Sequence, residues 1–87
     1  MEGFIMYTIM AIKISPRTVA APKVQEILTR YGCIIHTRIG LHEATENTCS
    51  TSGLILSNLI PSAEEEIKNL DNELNSLEDV TAKLLNL

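Results

Sequence analysis

The 87-residue sequence predicts an α+β domain in which two helices cover one face of a four-stranded antiparallel sheet, in the chain order β-α-β-β-α-β. Three observations carry this reading. Apolar, β-branched runs bounded by Gly, Pro or Ser recur at residues 4–14, 33–41, 53–60 and 79–87. The segments after the first and third runs switch to the three-to-four-residue spacing of amphipathic helices. Only a polar stretch, residues 42–52, joins the second run to the third, as in a hairpin.

The first run, FIMYTIMAIKI, ends at Ser15-Pro16. Its alternate faces are both apolar: Ile5, Tyr7, Ile9 and Ala11 on one, Met6, Met10, Ile12 and Ile14 on the other. Such a strand belongs in the middle of a sheet. The first helix follows, with Val24, Ile27, Leu28 and Tyr31 on one stripe. Pro22 suits its first turn, where the missing N–H costs nothing, and Gly32 stands where a left-handed C-cap favours glycine.

The second run alternates strictly from Cys33. Cys33, Ile35, Thr37, Ile39 and Leu41 form its expected core face, and Ile34, His36, Arg38, Gly40 and His42 the more polar one, as in an edge strand. In the third run, Leu54 and Leu56 lie opposite Gly53 and Ile55. Ser62 and Glu65 have capping-box spacing at the start of the second helix. There Glu64, Glu65 and Glu66 complement the helix dipole, and Ile67, Leu70, Leu74 and Leu77 form the buried stripe. A short strand closes the chain. One domain over residues 1–87, with the ferredoxin-like topology, accommodates all six elements.

Composition narrows the function. Residues 1–43 carry five basic and three acidic side chains, and residues 44–87 two basic and eight acidic, for a net charge of −4. A nucleic-acid binder needs a clustered basic field, and a single-strand reader needs aromatic platforms; aromatics are 3% of this chain. No run approaches the roughly 20 apolar residues of a membrane span. Two cysteines make no secreted disulfide framework, so a reducing cytoplasmic setting is expected. A domain this small buries only about 60–65% of its unfolded surface. Two helices also leave one sheet face open, so a homo-oligomer, joined through that face or an edge, is expected.

The segment KVQEILTRYGCIIHTRIGL, with Tyr31-Gly32 at the helix end and Arg38-Ile39-Gly40 in the strand, resembles the iron-only hydrogenase system regulators. These are small relatives of the ACT domain and of the regulatory domain of the nickel-responsive repressor. The resemblance extends over nearly the whole chain. It implies a cytoplasmic, oligomeric, ACT-like module that senses a small-molecule effector or joins a regulatory assembly. The turn SPRTVAAP departs from the ACT pattern, since it lacks the glycine common there.

Candidate site residues are few. Arg38 and His36 share the polar face of the second strand, and Arg17 and Lys23 flank the start of the first helix, where an anion could bind. His42 and Cys49 could share nickel or zinc across the link. His36 lies about 20 Å from His42 along a straight strand, too far for joint chelation. Cys33, read as a small core residue, and His36 point to opposite faces, so no Cys-His nucleophile is expected. No cofactor is expected. A non-enzymatic regulator is the leading reading, with a small oxygenase- or isomerase-type enzyme and a purely structural subunit as the alternatives.

Overall fold

The computed structural model describes residues 6–15, 20–41 and 53–87. Its elements follow the expected order. They are β1 (Thr8–Ile14), α1 (Ala20–Arg30), a single 3-10 turn (Gly32–Ile34), β2 (Ile35–Leu41), β3 (Gly53–Leu59), α2 (Glu64–Asn75) and β4 (Val80–Asn86). The four strands form one antiparallel sheet in the order β2-β3-β1-β4. This is the ferredoxin-like topology.

The doubly apolar β1 takes a central place between β3 and β4. Its Met10, Ile12 and Ile14 are buried with Ile55 and Leu59 of β3 and Val80 and Ala82 of β4. Ala20, Val24, Ile27 and Leu28 of α1, Ile34 of the 3-10 turn and Ile67, Leu70 and Leu74 of α2 complete this core, with Tyr31 and Leu77 packed at its margin. Both helical stripes therefore face the sheet as their periodicity requires. The β1 residues of the other parity, Ile9 and Ala11, are half-buried on the face away from the helices, and Lys13 is exposed there. Tyr7 extends that pairing, exchanging backbone hydrogen bonds of 3.1 and 2.9 Å with Leu87.

Four local details depart from the sequence expectations. Gly32 has no left-handed φ; it opens the 3-10 turn, and a Cβ there would meet no atom within 4 Å. That turn displaces the start of the second strand to Ile35. Ile34 becomes buried and Cys33 exposed, the reverse of the expected faces. Next, Ile35 pairs with Leu59 but Thr37 pairs with Asn58, so His36 is an extra residue in the ladder. A bulge of this kind shifts the side-chain parity. Ile35 packs against the core, while Ile39 pairs with Leu56 on the open face and is 54% exposed. The edge position of β2 stands as expected.

The fourth departure concerns α2, whose N-cap is Ala63 and has no side-chain cap hydrogen bond. The first α-type bond, from the Ile67 N–H to the Ala63 carbonyl at 2.9 Å, puts Ser62 one residue too early for its capping box. At the other end, Asn75 fastens α2 to the sheet. Its Oδ1 accepts the Ala82 N–H at 2.8 Å, and its Nδ2 donates to the Ala82 carbonyl at 3.1 Å. This carboxamide occupies outward-facing backbone groups of the edge strand β4, which would otherwise be open to another strand. Among the described residues, no helix is long and apolar enough to cross a membrane.

Candidate functional site

The bulge in β2 and the turn that follows α1 together leave a groove between the C-terminal end of α1 and the sheet edge. It has a cavity volume of about 320 Å³ and is lined by Leu28, Thr29, Gly32, Ile35, His36, Thr37 and Arg38. Leu28 is buried and Ile35 half-buried, which gives the groove an apolar floor. Thr29, His36, Thr37 and Arg38 are exposed around it. An apolar base with a few converging polar groups is the usual make-up of a small-molecule site.

Each lining group has a structural cause. Leu28 belongs to the buried stripe of α1, and Thr29 follows it at the groove edge. The Thr29 hydroxyl donates to the Gln25 carbonyl at 2.8 Å, which leaves its lone pairs for a ligand donor. His36 is placed by the bulge. Arg38 lies two residues on, paired with Ser57 of β3 on the helix side of the sheet. Ser57 is 1% exposed, and its Oγ lacks a hydrogen-bond partner among the described residues. Arg38 is in no ion pair among the described residues.

A neighbouring cluster holds the groove's helical wall. The Arg30 guanidinium donates to Glu73 Oε1 at 2.7 Å, and the Tyr31 hydroxyl donates to Glu73 Oε2. Arg30 also stands 5.9 Å from the centroid of the Tyr31 ring. Hydrogen bonds from Arg30, and secondarily from Tyr31, hold the Glu73 carboxyl below the ordinary carboxylate range. The bond to Glu73 raises the Tyr31 phenol above its ordinary value. This three-residue clasp ties the end of α1 to α2. It also neutralises Arg30, so His36 and Arg38 are the basic groups lining the groove itself.

Of the residues singled out in the sequence, the structure brings His36 and Arg38 together. Lys23 is exposed in the first turn of α1, while the groove lies at the opposite end of that helix. Arg17, His42 and Cys49 lie outside the described residues, and so does any metal site they would form. Among the described residues, no group of three or more His, Cys, Asp or Glu could hold a metal ion. Cys33, expected in the core, is exposed. Leu28, Thr29, Ile35 and Thr37 were not legible as site residues, because the turn and the bulge that assemble them leave only the faint mark of Tyr31-Gly32.

Comparison with known proteins bears on the fold. No family model matches the chain, and no curated protein matches it. Two solved structures share its fold. An uncharacterised protein from Thermotoga maritima superposes with a TM-score of 0.69 at 21% identity, covering 93% of this chain and 95% of that one. A nitrogen regulatory PII-like protein from Thiomonas intermedia, solved with ADP, AMP and bicarbonate, superposes with a TM-score of 0.64 at 7% identity, covering 95% and 91%. At these identities the likeness is one of architecture, and what it establishes is the ferredoxin-like fold.

Proposed function

We propose that this chain is a small, non-enzymatic regulatory module that senses an anionic small molecule and works as a homo-oligomer. The observation that carries the reading is the groove at the end of α1, where the His36 imidazole and the Arg38 guanidinium border an apolar floor of Leu28 and Ile35. A guanidinium beside an imidazole suits a carboxylate, bicarbonate or phosphate group, and the floor suits an apolar or planar body attached to it. The PII-like structure, with its bound nucleotides and bicarbonate, supports this choice of ligand class. Catalysis is not part of the proposal. Among the described residues, His36 has no hydrogen-bonded partner to orient it, which a reaction centre needs.

The oligomeric part of the reading rests on the open sheet face. Ile39, Leu54 and Leu85 are exposed there, beside half-buried Ile9, Ala11 and Leu56. A contiguous apolar face of this kind ordinarily meets another protein surface. The resemblance carried by Tyr31-Gly32 and Arg38-Ile39-Gly40 makes a cytoplasmic hydrogenase-system regulator the specific version of the proposal. No resident cofactor is needed in it; nickel or zinc at His42 and Cys49 is the metal-dependent variant.

A thermal-shift series tests the reading. Adenine nucleotides, bicarbonate, amino acids, nickel and zinc are added singly to the wild type and to Arg38→Ala. An anion binding at the groove raises the wild-type melting temperature by mass action and leaves Arg38→Ala unshifted. No shift with any anion, or an equal shift in both proteins, refutes the assignment.

A further inference from the structure

The open sheet face carries a pattern, and the strand registers lay it out, because directly paired residues share a face. Ile39 and Leu54 occupy one end. The apolar surface then crosses Leu56 to Ile9 and reaches Leu85 and Tyr7 at the opposite end, forming a diagonal band. The two corners beside the band are polar and unlike each other. One holds Lys13 and Lys83, diagonal neighbours across β1 and β4. The other holds Thr37 and Asn58, directly paired across β2 and β3. Among the described residues, this face bears no acidic side chain.

We propose that a second copy of this chain covers the face, with the twofold axis running along the diagonal band, so that each copy's lysine corner lies over the other's Thr37–Asn58 corner. This rests on the homo-oligomer reading above and supplies its geometry. Two identical faces close on one another about a twofold axis lying in the plane between them, which reflects one pattern onto the other. An axis along the band sets apolar residues on apolar residues and exchanges the two corners. The Thr37 hydroxyl and the Asn58 carbonyl oxygen can then accept hydrogen bonds from lysine ammonium groups. An axis perpendicular to the band also matches the apolar residues, but it lays each Lys13–Lys83 corner over its own counterpart. Four ammonium groups then crowd together with no carboxylate between them, a like-charge juxtaposition that disfavours this alternative.

Crosslinking distinguishes the arrangements. In a Cys33→Ser, Cys49→Ser background, Thr37→Cys and Lys83→Cys proteins are treated, alone and mixed, with a bismaleimide spanning about 10 Å, the separation of packed sheets. The proposal expects crosslinked dimer in the mixture and almost none in either protein alone. Self-crosslinking by Lys83→Cys, or dimers that crosslink in no combination, overturns the axis while leaving the homo-oligomer standing. Ile39→Glu and Leu85→Glu, at positions 54% and 55% exposed in the single chain, should each lose the dimer in light scattering and keep their circular dichroism. A dimer retained in both variants places the contact elsewhere and overturns the proposal. Growth into larger species with concentration shows head-to-tail contact with another surface, and it also overturns it. A wild-type monomer at micromolar concentration ends both this geometry and the homo-oligomer reading, while the ligand-sensing part remains decided by the thermal-shift series.

Discussion

Glu73 shows how one side chain can serve a site it does not line. Its carboxylate receives Arg30 from the last turn of α1 and Tyr31 from the residue beyond it. With the folded-state pKa held below the ordinary carboxylate range, first by Arg30 and then by Tyr31, the stabilisation is present above the unfolded-state value. It is lost as the pH falls through the folded-state value. The melting temperature of the wild type should therefore fall faster between about pH 5 and pH 3 than that of Glu73→Gln, in which this carboxylate is absent. Parallel melting curves against pH for the two proteins would show that the clasp carries no charge-dependent stability. Arg30 is exposed and Glu73 only half-buried, so raising the salt should narrow the difference.

The ends of α2 set two expectations for elements. Ala63 at the N-cap leaves the first-turn N–H groups without a side-chain acceptor. Ala63→Ser adds one with little change in volume, and it should raise stability by about 1 kcal/mol, read as a higher urea midpoint at unchanged m-value. At the C-terminal end, Asn75→Ala removes the paired hydrogen bonds to Ala82. The expected loss is about 1–3 kcal/mol in the same urea experiment, because backbone groups of a partly covered edge lose their partners. Freed edge groups on β4 should also make this variant more prone to associate on concentration. Stability equal to that of the wild type would mean that water replaces the carboxamide without cost.

For the whole molecule, the governing fact is a small core beneath one face of a sheet whose other face is largely apolar. The buried set draws on α1, α2, Ile34 of the 3-10 turn and the three strands β1, β3 and β4, while the described side chains of β2 from His36 onward are exposed. If a second copy supplies the missing cover, folding and association are linked, and the melting temperature depends on protein concentration. A hundredfold dilution should then lower the melting temperature of the wild type and leave that of Leu85→Glu nearly unchanged. A wild-type melting temperature independent of concentration contradicts the linkage.

The sequence by itself determined the element order, the two helical stripes and the central place of β1, since these follow from periodicity within single segments. Ile67, Leu70 and Leu74 needed only their spacing, and the both-sided apolarity of β1 needed only its alternation. It also identified His36 and Arg38 as a pair on one strand. What the tertiary structure decided depends on partners distant along the chain. The bulge at His36 exists only relative to β3, and it turns Ile39 outward although strict alternation sent it inward. Ala63 rather than Ser62 caps α2 because the chain leaves β3 by a turn that ends one residue later. Asn75 looks like any polar residue at a helix end until β4 is beside it. The groove likewise comes from two elements meeting, Leu28 and Thr29 from α1 and the residues around the bulge from β2. Local patterns are written in neighbouring residues, whereas parity, caps and cavities are set by registers between segments, which no single segment encodes.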